Sequence, residues 1–68
     1  MNKDKQVDTY PLEWNGEMMG ELEVWKVERR PLYYATINGE RVKGSTFKEQ
    51  GFAFRAGEAQ FHKDMRSY

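Results

Sequence analysis

Cysteine is absent from the 68 residues, so no disulfide can stabilise the chain and a thiolate-ligated zinc site is excluded. A chain of this length forms at most one domain, whose small core leaves little net stability after the loss of chain entropy. Stability must therefore come from the four Phe, four Tyr and two Trp, or from a partner subunit. An aromatic content of 15% favours a packed domain over a disordered chain.

Long apolar runs are also missing. No run approaches the length needed to span a membrane, and no apolar signal-peptide segment follows Met1. We therefore expect no membrane partner and a cytoplasmic location, with which the absence of cysteine agrees.

A catalytic motif is missing as well. Ser45 and Thr46 fit helix caps better than nucleophiles, and the six glycines are scattered at turns instead of forming a phosphate-binding loop. Glu58, His62 and Asp64 are common on solvated helix faces, and with no second His or Cys they make a poor metal site. We predict a non-enzymatic protein that uses no metal and no cofactor.

The chain also lacks a net charge, because 11 Lys and Arg residues balance 11 Asp and Glu residues. The charges are nevertheless segregated. Residues 1–23 hold two basic and six acidic groups, whereas residues 24–48 hold six basic and two acidic groups. Zero net charge is an objection to nucleic-acid binding, yet a local basic patch can act because salt screens charges beyond about 10 Å.

The strongest local signal is the pair Asn38-Gly39 between two short runs typical of strands. This pair favours a type I′ turn, since both residue types tolerate a positive φ, and the turn fixes the register of a hairpin. The predicted register has four facing pairs: Ile37–Glu40, Thr36–Arg41, Ala35–Val42 and Tyr34–Lys43.

Side chains alternate across a strand, so this hairpin has two different faces. The apolar face should point at a core and consists of Tyr33, Ala35, Ile37 and Val42. The other face is polar, basic and aromatic, and consists of Tyr34, Thr36, Arg41 and Lys43. It is either an ordinary solvated sheet surface or a contact surface for phosphates and bases.

The preceding residues predict a first hairpin and a loop. Residues 7–14 suit a strand, and Pro11 places it at a sheet edge because proline cannot donate to the ladder. Asn15-Gly16 predicts a tight turn, and residues 17–28 return as a strand that Gly20 interrupts with a bulge. Arg29-Arg30-Pro31 predicts a loop whose guanidinium groups either bind phosphate or are simply solvated.

After the second hairpin, Thr46 and Glu49 have the spacing of a capping box, with Ser45 as an alternative cap. A helix over residues 47–65 would align an apolar stripe on one side: Phe47, Phe54, Phe61 and Met65. The competing interpretation is a short strand over residues 51–55, a turn and a shorter helix, because the helix would contain Gly51 and Gly57.

The predicted fold is α+β, a small antiparallel meander of three to four strands with a C-terminal helix packed on one face. Residues 7–66 form the single domain, and residues 1–6 are expected to be a flexible tail.

Residues 32–47 read Leu-Tyr-Tyr-Ala-Thr-Ile-Asn-Gly-Glu-Arg-Val-Lys-Gly-Ser-Thr-Phe, and Ala53 and Ala56 follow. Over residues 32–56 this succession of aromatic strand, tight turn, basic strand and Ala-containing helix resembles the small AP2-like or phage integrase arm-type DNA-binding domains. In that family a three-stranded sheet lays its exposed face into the major groove, and the helix lies behind it. The resemblance implies DNA-facing positions at Tyr34, Thr36, Arg41 and Lys43, and positions behind the sheet at Phe47, Ala53 and Phe54.

Two functions are open. The first is a small nucleic-acid-binding accessory or regulatory protein, of a phage or mobile element, with double-stranded DNA as partner. The second is a protein-interaction module, an inhibitor or adaptor of a larger protein or a homodimer formed through edge strands. This second function expects exposed aromatic residues among Tyr10, Trp14, Trp25 and Tyr34. We favour the first, whose predicted nucleic-acid-binding residues are Arg29, Arg30, Tyr34, Thr36, Arg41 and Lys43.

Overall fold

The computed structural model describes residues 3–67 as one antiparallel sheet with a helix on one face. The elements follow in chain order: β1 (Lys5–Trp14), β2 (Glu17–Lys26), β3 (Tyr33–Ile37), β4 (Glu40–Arg41) and α1 (Gln50–Arg66). The strand order in the sheet, β1-β2-β3-β4, is that of a meander. The predicted α+β class and the predicted meander with a C-terminal helix are confirmed.

Both Asn-Gly pairs form the turns that their sequence predicts. Asn15 and Asn38 have φ of 52° and 51°, and the glycines that follow them are also at positive φ. The register of β3 with β4 is as predicted for Thr36–Arg41 and Ile37–Glu40. One further bond of the predicted register forms, from the Val42 N–H to the Ala35 carbonyl at 2.9 Å, before the chain turns at Gly44, whose φ is 74°. Lys43 is therefore not paired with Tyr34, contrary to the prediction.

The N-terminal strand begins earlier than the sequence predicts. β1 starts at Lys5, inside the expected tail. The carboxylate of Asp4 fixes this start by accepting hydrogen bonds from the Glu28 N–H at 2.9 Å and the Tyr34 hydroxyl at 2.8 Å. Residues 4–6 therefore belong to the start of the sheet, while residues 1 and 2 lie outside the described part. Pro11 lies on an edge strand, as predicted.

The C-terminal helix runs without interruption through Gly51 and Gly57, so the long helix is confirmed and the strand over residues 51–55 is not formed. It begins three residues later than predicted. Glu49 occupies the N-cap position without a side-chain capping bond. The predicted cap is wrong because the hydroxyl of Thr46 instead accepts a hydrogen bond from the Arg41 guanidinium at 2.9 Å.

Residues 45–47 extend the sheet instead of starting the helix. The Ser45 hydroxyl is fully buried, accepts from the Ala35 N–H at 3.0 Å and donates to the Val42 carbonyl at 2.6 Å. Phe47 then exchanges two backbone hydrogen bonds with Tyr33, of 2.7 and 2.8 Å. Phe47 therefore lies beside β3, and only the later members of its predicted stripe are on α1.

The core lies between the sheet and α1, where the helix approaches most closely at Gly57. A Cβ there would lie 2.8 Å from Leu22 Cδ1 and 2.9 Å from the Ala35 Cβ, so only glycine fits. A Cβ at Gly51 would meet nothing within 4 Å, so of the two helix glycines only Gly57 lies in close contact with the sheet. The buried apolar side chains are Leu12, Leu22, Val24, Ala35, Val42, Ala53 and Phe61.

Candidate functional site

The sheet face opposite α1, here called the outer face, carries most of the residues that the sequence singles out. Its members follow from the strand registers and include Gln6, Thr9, Pro11, Glu13, Glu21, Glu23, Trp25, Tyr34, Thr36 and Arg41. Three of these side chains are carboxylates, Asp4 adds a fourth at Tyr34, and Arg41 supplies the positive charge. The outer face is thus acidic, because β1 and β2 contribute more of its side chains than the basic hairpin of β3 and β4 does.

Tyr34 and Arg41 are bonded within the protein. The Tyr34 side chain is only 4% exposed, its hydroxyl donates to Asp4, and the Arg41 guanidinium stacks 4.0 Å from the centre of its ring. Arg41 also donates to Thr46. The hydrogen bond from the Glu28 N–H, followed by that from Tyr34 and the charge of Arg41, holds the pKa of Asp4 below its ordinary value. Tyr34, Arg41 and Asp4 form a structural cluster.

Thr36 is likewise engaged, at 7% exposure. Its hydroxyl accepts a hydrogen bond from the Trp25 indole N–H at 3.1 Å and donates to the Glu23 carboxylate at 3.2 Å. A ligand that binds the Thr36 hydroxyl would have to replace these two hydrogen bonds and would lie close to the Glu23 carboxylate.

The other three predicted residues lie apart from this cluster. Arg29 and Arg30 are exposed on the loop between β2 and β3, where Arg29 adopts a φ of 60°. Lys43 is exposed beyond β4, away from Tyr34 and Thr36, and lines an open groove of about 500 Å³ together with Arg41 and Asp64. The six predicted residues therefore occupy the outer face, the loop and the groove, and of the six only Arg41 borders two of these places.

The loop residues adjoin a surface that we call the basic end, consisting of Lys5, Lys26, Arg29, Arg30, Phe47, Lys48 and Phe52. Its base is a row across the end of the sheet, because Lys5 pairs with Lys26, Lys26 with Tyr33, and Tyr33 with Phe47. Paired residues share a face, so these four side chains lie on the α1 side of the sheet, at the end where the helix begins.

Two phenylalanines give this surface an apolar centre. Phe47 is 38% and Phe52 49% exposed, and their ring centroids are 6.0 Å apart in an edge-to-face arrangement. A contiguous exposed apolar patch rimmed by polar residues is typical of a surface that contacts a ligand or a partner. Lys48 follows Phe47 directly, and the Lys26 ammonium donates to the Arg30 carbonyl at 3.1 Å, which ties the strand row to the loop.

Sequence reasoning missed this surface because Phe47 was assigned to the helical stripe. A signal for Phe52 was available, since it stands off the stripe of Phe54, Phe61 and Met65 and must face outward on a helix. The expected exposed aromatic residues are instead covered. Tyr34 is buried, and the other three, Tyr10, Trp14 and Trp25, are partly buried.

A second exposed apolar group lies at the far end of the first hairpin. Met18 is 64% and Met19 38% exposed, and this part of β2 extends beyond its pairing with β3. Within residues 3–67 no three His, Cys, Asp or Glu side chains gather where they could hold a metal ion. No helix in the same range has the length and apolarity needed to cross a membrane.

Comparisons of the chain with protein-family models, curated proteins and solved structures returned no match. The resemblance of residues 32–56 to AP2-like or integrase arm-type domains therefore stays a prediction.

Proposed function

We propose that the protein is a small, non-enzymatic nucleic-acid-binding accessory protein that uses its basic end. The observation that carries the proposal is the exposed pair of Phe47 and Phe52 among five basic residues. Lys and Arg side chains bind phosphates, and exposed aromatic rings stack on bases. The basic residues are Lys5, Lys26, Arg29, Arg30 and Lys48.

The charges at the basic end favour anion binding. Among the described residues the sole ion pair is Arg29 with Glu28, at 3.9 Å, so the other four cations have no carboxylate partner. Asp8, an acid of the same end, accepts hydrogen bonds from the Tyr10 hydroxyl and the Gln50 amide. Hydrogen-bond donors within the protein thus partly offset the charge of this carboxylate. Of the four cations, Lys26 donates to the Arg30 carbonyl, while Lys5, Arg30 and Lys48 are exposed.

The outer face supports the proposal less well. It holds Glu13, Glu21 and Glu23, which would repel phosphates, and its only guanidinium already stacks on Tyr34. Of the residues predicted from the sequence, Arg29 and Arg30 keep a nucleic-acid-binding role in this proposal. Tyr34, Thr36 and Arg41 become structural.

The test is a fluorescence-anisotropy titration of a labelled mixed-sequence DNA at low and moderate salt. We expect salt-dependent binding that R29A/R30A weakens, with the slope of log affinity against log salt reduced by about 2. The matched control is K63A/R66A, which removes the same charge from the last turn of α1. Equal binding by both variants, or no binding at low salt, would contradict the proposal.

Contact with another protein is the second candidate, and Met18 and Met19 favour it. Flexible thioether side chains are common on interaction surfaces. If the hairpin tip mediates self-association, sedimentation velocity will show a concentration-dependent dimer that M18S/M19S abolishes. A monomer at every concentration would remove the homodimer form of this candidate.

A further inference from the structure

We infer that the ligand of the basic end is single-stranded DNA, with one base stacked on the exposed phenylalanine pair; this inference rests on the proposed function. Both rings are held by regular structure. The Phe47 backbone is fixed by its two hydrogen bonds to Tyr33, and Phe52 belongs to the first turn of α1. A base that stacks here meets a preformed surface and orders few protein groups on binding.

The aromatic pair distinguishes a single strand from a duplex. In a duplex the base faces are stacked on one another, and a protein reads the base edges with hydrogen-bonding side chains. Phe47 and Phe52 have no hydrogen-bonding group, so they can contribute little to such reading. A base in a single strand exposes its face, which is the surface that an aromatic ring contacts.

The surrounding cations suit a strand that passes across the rings. Lys48 is next to Phe47 in sequence, and Lys26 lies two positions away across the sheet through Tyr33. Arg30 is tied to Lys26 by the bond from the lysine ammonium to its carbonyl. Phosphates on either side of a stacked base would therefore meet positive charge, and the ring pair would lie between them.

The apolar centre also favours DNA over RNA. Each RNA nucleotide carries a 2′-hydroxyl, and burying a hydroxyl without a hydrogen bond costs free energy. The rings of Phe47 and Phe52 offer this hydroxyl no partner. The sugar of a base stacked here lies beside the rings, where a deoxyribose needs no hydrogen-bonding partner and avoids that cost.

The experiment compares three labelled probes by anisotropy with the full chain: oligothymidylate of roughly 12 nucleotides, a mixed-sequence duplex of equal length, and oligouridylate. We expect oligothymidylate to bind most tightly. Phe52→Ala should weaken its binding roughly 5- to 150-fold, the range typical of one lost stacking contact. Phe52→Trp should retain binding because it keeps a ring.

His62→Ala is the matched control, since it truncates an exposed ring on the same helix, ten residues after Phe52 and far from the basic end. Equal affinity for duplex and single strand, with no effect of Phe52→Ala, would overturn this inference and leave the proposed function standing. Tighter binding of oligouridylate would overturn the assignment to DNA. Failure of all three probes to bind at low salt would overturn both proposals.

Discussion

The outer face and the basic end contain similar residue types but differ in whether those residues already have partners in the protein. On the outer face the Tyr34 hydroxyl, the Thr36 hydroxyl and the Arg41 guanidinium are all bonded to neighbouring side chains. At the basic end two rings are exposed, and four of five cations lack an ion pair among residues 3–67. An aromatic and basic composition therefore gives a stabilising cluster in one place and an available surface in the other.

The difference has an energetic basis. A hydrogen bond to a ligand adds little net free energy when it replaces one already formed within the protein, and an unsatisfied buried group costs about 1–3 kcal/mol. Binding at the outer face would require such replacements. Binding at the basic end would compete with fewer internal contacts, namely the Arg29–Glu28 ion pair and the hydrogen bond from the Lys26 ammonium to the Arg30 carbonyl.

The largest expected effect comes from truncating one aromatic side chain on each surface. Tyr34→Ala removes a buried ring together with its bond to Asp4, and should destabilise the protein by about 3 kcal/mol or more. Phe52→Ala should change the free energy of unfolding by about 0.5 kcal/mol or less, since the ring is half exposed. Urea denaturation followed by tryptophan fluorescence measures both free energies of unfolding. Equal losses in the two variants would contradict the difference in internal bonding between the two surfaces.

The two helix glycines give a smaller contrast of the same kind. Gly57→Ala should destabilise by about 1–3 kcal/mol, because its Cβ would meet Leu22 and Ala35 below 3 Å. Gly51→Ala meets no atom within 4 Å and should stabilise by up to about 1 kcal/mol through helix propensity. Thermal unfolding of the two variants checks the signs. A stable Gly57→Ala protein would show that the helix is not held close to the sheet.

The smallest expected effect concerns the acid dependence of the Asp4 cluster. The pKa of Asp4 is lower in the folded protein than its ordinary value of 3.8. Its contribution to stability is therefore present above that value and is lost as pH falls through the folded pKa. Asp4→Ala should be less stable than the wild type at neutral pH, and the difference should shrink below about pH 4. A constant difference across this range would contradict the role of the carboxylate.

Turns and the helix could be predicted from local sequence because their determinants are local. Asn15 and Asn38, each followed by glycine, specify tight turns by tolerating a positive φ. The helical spacing of Phe54, Phe61 and Met65 predicted the helix correctly despite the two glycines. Packing of an apolar helix face contributes more to helix stability than the intrinsic propensity of single residues.

The surfaces could not be predicted in the same way because they depend on contacts between distant segments. The acidity of the outer face comes from Glu13, Glu21 and Glu23, which share a face with the basic hairpin only through the pairing of β1 with β2 and of β2 with β3. The exposure of Phe47 follows from its bridge to Tyr33, fourteen positions earlier in the chain. Thr46 was assigned as a cap because its pairing with Arg41 is likewise a tertiary contact.

The most direct test of the account is a titration of isotopically labelled protein with oligothymidylate, followed by backbone amide NMR. We expect the largest shifts at Arg30, Phe47, Lys48 and Phe52, with little change at Glu23 and Thr36. This pattern would locate binding at the basic end. Shifts concentrated at Glu23, Thr36 and Arg41 would contradict the account, because the outer face would then be the binding surface despite its internal bonds.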